Sequence, residues 1–127
     1  MIKHIHTVGI YVRDQDTAVA FYTDKLGFEV VKDIAAGDGR WVEVAPPGAA
    51  STLCLTPVGY APNGEDDIGK YTGISLYTDD IKALHEELTS RGVKFLNEPQ
   101  LMPYGMWFAS LADQDGNEYF VHQTAAD

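Results

Sequence analysis

The sequence predicts an α+β fold of two tandem βαβββ modules, with curved mixed sheets arranged around a groove. Three observations carry that expectation. The half that begins near Thr7 recurs near Gly73; each half passes from a β-branched run through a helical stripe to three apolar or alternating stretches; and an acidic segment bearing Pro and Gly separates the halves. Self-similarity of this kind marks a repeated supersecondary unit.

At a shift of 66 positions Val8 falls on Ile74, Ile10 on Leu76, Tyr11 on Tyr77 and Asp14 on Asp80. Further on, Trp41 falls on Trp107 and Val42 on Phe108, and Gly27 meets Gly92 after one deletion. Residues 5–12 alternate with β-branched side chains and read as a strand. Asp14 then offers a side-chain oxygen to the free amides of a helix. Ala18, Val19, Tyr22 and Leu26 form its stripe, and Gly27 is placed to end it. Asp80 opens the second helix, whose stripe is Ile81, Leu84 and Leu88 and whose stop is Gly92. Strands follow at about 28–34, 40–45 and 52–56, then at about 93–97, 106–111 and 118–123. Pro46-Pro47-Gly48 and Asp113-Gln114-Asp115-Gly116-Asn117 are turns. The modules therefore span about 1–57 and 70–127 of a single domain, joined by a solvated acidic linker at 58–69.

The 127 residues suffice for one core, burying roughly two-thirds of the unfolded surface. A net charge of −10 excludes nucleic acid as the expected partner. No apolar run approaches the roughly 20 residues of a membrane helix, and the start lacks a secretory layout, so a cytoplasmic protein is expected. Cys54 is the single cysteine, which excludes an intrachain disulfide and a multi-thiolate zinc site.

The strand ending at Asp14 is followed by Phe21-Tyr22-Thr23-Asp24-Lys25-Leu26-Gly27-Phe28. With the closing stretch from Phe108 to His122 and its Asp-x-Asp-Gly-Asn turn, this resembles the vicinal oxygen chelate superfamily. That group includes glyoxalase I, extradiol dioxygenases, and fosfomycin- and bleomycin-resistance proteins. The resemblance covers nearly the whole chain and implies a glyoxalase/bleomycin-resistance-like fold and a homodimer. It also implies metal ligands on the first and last strands of each module. The matching positions here are Thr7, Cys54, Gly73 and Phe120. None is His, Asp or Glu, so neither metal nor other cofactor is expected. His6 does not restore the set, because strand alternation turns it with Val8 and Ile10 toward the helix. His122 lies two residues past the ligand place, where a hydrogen-bonded wall residue is the plainer reading.

Alternation predicts a groove wall of Thr7, Gly9 and Tyr11, their counterparts Gly73, Ser75 and Tyr77, then Thr52, Cys54, Thr56, Phe120 and His122. Trp41 and Trp107 either stack on a planar ligand or repeat a structural role copied with the duplication. Glu43 is either a pocket carboxylate or a solvated one. Cys54 reads as a small buried hydrophobe rather than a nucleophile. The candidate pocket is thus Thr7, Tyr11, Trp41, Cys54, Ser75, Tyr77, Trp107, Phe120 and His122. The expected function is binding of a small aromatic or cationic molecule, in the manner of a bleomycin-resistance-like sequestering protein. The alternative is a glyoxalase- or dioxygenase-like enzyme with a non-standard metal site or metal-free catalysis.

Overall fold

A computed structural model describes residues 1–37 and 39–124, which form two compact units meeting in sequence at Ile68 and Gly69. Unit one contains β1 (Thr7–Val12), α1 (Gln15–Ala20) continued by a π-helical turn (Phe21–Lys25), β2 (Glu29–Ala36), β3 (Gly39–Ala45) and β4 (Thr52–Pro57). Two 3₁₀ turns follow at Val58–Tyr60 and Gly64–Asp67. Unit two contains β5 (Tyr71–Tyr77), α2 (Ile81–Ser90), β6 (Lys94–Leu101), β7 (Met106–Ala112) and β8 (Glu118–Thr124). The sheets have the orders β1-β4-β3-β2 and β5-β8-β7-β6. In each the first strand runs parallel to the last and the other pairs are antiparallel. This is the expected α+β duplication of mixed four-stranded sheets. Among the described residues, no helix is long and apolar enough to cross a membrane.

Both helices start as the caps require. Asp14 and Asp80 have extended backbones, and their carboxylates accept from Thr17 N at 2.8 Å and Ala83 N at 3.1 Å. The first helix then widens: Leu26 N donates to Phe21 O, and the Thr23 hydroxyl bonds back to Val19 O at 2.8 Å. Such back-bonding disturbs a regular ladder. The wider turn buries the consecutive residues Phe21 and Tyr22, whose rings meet edge to face. Gly27 ends it with φ +77°.

One face of each sheet carries the core. In unit one Ile10, Val12, Val42, Val44, Leu53 and Leu55 are buried along with Ala18, Phe21 and Tyr22. In unit two Ala109, Leu111, Tyr119 and Val121 are buried along with Ile81 and Leu88 of α2. The opposite faces carry most of the candidate site residues.

Two register details correct the sequence reading. Cys54 pairs with Glu43, whereas its counterpart Phe120 pairs with Ser110, so within the third strands the correspondence is 67 positions, not 66. The cause is the turn before the last strand, one residue longer at 46–51 than at 113–117. Trp41 therefore corresponds to Phe108 and not to Trp107, and a one-residue slip exchanges the faces of a strand. The second detail is a bulge in β5 between Tyr71 and Ser75, where Gly73 has φ +76°. The Asp113–Asn117 stretch is a turn, as expected: one Asp113 oxygen accepts from the amides of Asp115 and Asn117, and the other from Asn117 Nδ2.

Candidate functional site

In unit one the open face centres on Glu43. Its carboxylate accepts from Trp41 Nε1 at 2.6 Å and from Thr52 Oγ1 at 2.9 Å, and His6 Nε2 lies 3.3 Å away. Thr52 Oγ1 also lies 2.8 Å from Thr7 Oγ1, which continues the network to the sheet edge. Glu43 is only 1 % exposed, so it is not a solvated carboxylate; it is buried against Trp41 and Thr52. Burial opposes its ionisation. The hydrogen bonds from Trp41 and Thr52, together with the charges of His6 and Lys32, outweigh burial and hold the carboxyl below its ordinary value.

His6 departs from the expected orientation. β1 begins at Thr7, so His6 lies outside the strand, period-two alternation does not govern it, and its ring turns to Glu43 instead of toward the helix.

Beyond the Glu43–Cys54 and Val44–Leu53 pairs, β3 and β4 share no further register pair. Gln15, the first residue of α1, holds the parted strands: its Nε2 donates to Arg40 O at 2.7 Å and Leu55 O at 2.9 Å. Each carbonyl thus gains the donor that a continued ladder would have supplied. Beside this gap lies a cavity of about 360 Å³ walled by Trp41, Cys54, Leu55, Thr56, Pro57 and Tyr60, with Ala36, Gly37 and Arg40 at its margin. Arg40 is clamped by Asp33 and Asp16, which raise its already high pKa. Its charge is thereby compensated before any ligand arrives. Trp41 is 41 % exposed, with its indole nitrogen anchored on Glu43. Cys54 is 5 % exposed; burial and the neighbouring Glu43 push its thiol pKa up, as befits a protonated wall residue.

In unit two Ser75, Phe120 and His122 do come together. They line a cavity of about 220 Å³ with Met102, Tyr104, Met106 and Phe108. Ser75 Oγ is hydrogen-bonded to His122 Nδ1. The Tyr77 ring meets His122 edge to face at 5.6 Å, and Phe120 packs against Tyr71 at 4.9 Å and Phe108 at 5.9 Å.

Trp107 is not part of this wall. It pairs with Gln123, on the face whose neighbours Ala109 and Val121 are core, and Lys82 of α2 sits 4.5 Å from its ring centroid. The register slip is the reason. Tyr11 lies on the open side of β1, paired with Thr56, and does not line the described cavity. Phe108, Met102, Met106, Tyr104, Tyr60 and Pro57 were not among the expected wall residues. Phe108 was within reach of a correct register, whereas the others come from turns and strand ends where alternation gives no signal.

The four places that the family resemblance assigns to metal ligands do not fit a metal. Thr7 is engaged with Thr52, and Cys54 is a buried protonated thiol. Gly73 has no side chain and a φ of +76°, which L side chains rarely adopt, and Phe120 offers a ring. Among the described residues, no three His, Cys, Asp or Glu side chains converge as metal ligands.

These features define a paired βαβββ protein whose two open sheet faces each carry a cavity of small-molecule size. The chain belongs to the glyoxalase/bleomycin resistance protein/dioxygenase superfamily, whose sequence model it matches over residues 4–119. It is 36% identical over 124 residues to YetH of Bacillus subtilis, an alignment covering 97% of this chain and all of YetH. A superfamily member from Sphaerobacter thermophilus has a crystal structure that superposes with a TM-score of 0.90 at 39% identity, covering 96% of this chain and 98% of that one. TnmS3, an antibiotic binding protein from Streptomyces sp. CB03234, superposes with a TM-score of 0.84 at 34% identity over 97% of each chain.

Proposed function

We propose that this protein binds a small, uncharged aromatic molecule on its open sheet faces and holds it without transforming it, as a sequestering protein does. The observation that carries this reading is the unit-one cavity: about 360 Å³, apolar-walled, with one exposed indole fixed in orientation by a buried carboxylate. An oriented aromatic wall presents a large contact area at little cost in side-chain entropy. The likeness to TnmS3, an antibiotic binding protein, supports the same reading. A cation is the weaker fit, because no carboxylate lines this cavity or the 220 Å³ cavity and Arg40 lies at the margin of the first.

A homodimer is part of this reading, on the strength of the family resemblance. The test is a thermal-shift panel of mono- and bicyclic aromatics, neutral and cationic, followed by titration of Trp41 fluorescence in a Trp107→Phe background. Neutral aromatics should raise the midpoint by mass action and alter Trp41 emission, with Trp41→Ala weakening binding about tenfold or more. Light scattering on the same sample should give twice the chain mass. Failure of every compound in a broad panel would sink the binding reading.

A further inference from the structure

Ser75 and His122 form a hydrogen-bonded pair in a cavity otherwise walled by Met, Phe and Tyr104 side chains, and their hydrogen bond restricts what that cavity can recognise. The parallel pairing of Ser75 with Phe120 and of Tyr77 with His122 brings the two side chains to one face. Around them stand Met102, Met106, Phe108 and Phe120. Ser75 Oγ engages Nδ1 of the imidazole, and Nε2 has no partner among the described residues.

For the neutral ring, two proton arrangements satisfy that bond. If Nδ1–H donates to Ser75, the serine hydrogen has no acceptor and the Nε2 lone pair no donor among the described residues. If Ser75 donates to Nδ1, one donor is left over, the Nε2–H. The second arrangement leaves fewer groups unpaired, and the hydrogen bond at one ring nitrogen sets the state of the other. An N–H left over on a residue that lines the cavity is a donor that a ligand oxygen can engage.

We propose that the unit-two cavity selects aromatic molecules bearing a hydrogen-bond-accepting oxygen, which the Nε2–H of His122 binds. The proposal rests on the small-molecule reading above and names the chemistry of its second cavity. The cavity, about 220 Å³, has room for a bicyclic ring system. Ser75 acts as a positioning residue, by holding the tautomer.

A matched pair of neutral probes tests this: 2-acetylnaphthalene and 2-isopropenylnaphthalene share shape and differ by a carbonyl oxygen in place of a methylene group. Calorimetric titration should show the ketone binding about five- to tenfold tighter, the range one net hydrogen bond supplies. His122→Phe should abolish the preference, read as the ratio of the two probes' affinities in the same variant. Ser75→Ala, which frees the tautomer, should reduce the preference. Long-range ¹H–¹⁵N NMR of the unsubstituted chain reports the tautomer without any substitution. It should show the proton on Nε2 of His122, and a shift at that nitrogen when the ketone is added.

Equal binding of both probes, a preference that survives His122→Phe, or a proton on Nδ1 overturns the inference and leaves the binding function standing. If neither probe binds, the inference fails; the function itself falls only with the broader panel.

Discussion

Replacing Glu43 by glutamine keeps the side-chain shape and removes the charge from the unit-one network, so it isolates what the carboxylate contributes. The native group accepts from Trp41 Nε1 at 2.6 Å and Thr52 Oγ1 at 2.9 Å. Hydrogen bonds to a charged group contribute about 1.5–3 kcal/mol each. The desolvation of a buried carboxylate offsets much of that sum. Glutamine can still accept from the indole, but its amide nitrogen then faces the Thr52 hydroxyl, which must turn to avoid a donor–donor clash. Both charge-assisted bonds become neutral, and the one to Thr52 reverses direction. His6 adds little to the difference, because its side chain is 63 % exposed. The expected net cost is about 1–2 kcal/mol at pH 7.

The cost should depend on pH with a defined sign. Glu43 has a folded pKa below its ordinary value of 4.5, so its contribution is complete above that value and is lost as pH falls through the lower folded one. The gap between native chain and Glu43→Gln should therefore be constant from pH 7 to about 5 and narrow below 4.5. Urea unfolding followed by Trp41 emission in a Trp107→Phe background reads unit one directly. A difference under about 0.5 kcal/mol at pH 7, or one that does not narrow in acid, would refute the claim that this carboxylate is ionised and structurally engaged.

Gly73→Ala should destabilise the chain by about 1–2 kcal/mol in urea titrations, from the positive φ alone. No atom crowds a Cβ there, so an unchanged midpoint would mean that the β5 bulge relaxes. Cys54 should react with a disulfide reagent far more slowly in the native chain at pH 8 than in urea, since the thiol is both buried and shifted upward. Native and unfolded rates within about threefold of one another would contradict that placement.

The fold was legible because its signals are local and repeated. Asp14 and Asp80 as caps, Gly27 as a stop and the apolar alternation of β1 and β5 can be read from a few neighbouring residues. The site was less legible because it depends on register. Trp41 and Trp107 look equivalent in sequence, yet a turn longer by one residue at 46–51 sends their rings to opposite faces. Glu43 was undecidable for the same reason: its partner Thr52 comes from a neighbouring strand and lies nine positions away. His6 was misplaced by extending strand alternation one residue beyond the ladder.

The corrected register also explains how one duplication yields two chemically different cavities. On the helix-covered faces, Ile10 corresponds to Leu76, Val42 to Ala109, Val44 to Leu111, Leu53 to Tyr119 and Leu55 to Val121, and every pair is apolar. A packed core accepts only apolar side chains of compatible volume, so those positions stay alike. On the open faces, Gly9 corresponds to Ser75, Trp41 to Phe108, Glu43 to Ser110 and Cys54 to Phe120. By strand alternation these positions point away from the helix-packed cores. Unit one uses its open face for a buried carboxylate that orients an indole, and unit two for a serine that orients an imidazole. Each open face thus holds one ring-bearing side chain through one polar neighbour, by different residues in different strands. That shared device, on the faces turned away from the helix-packed cores, is what the proposed binding function would use in each unit.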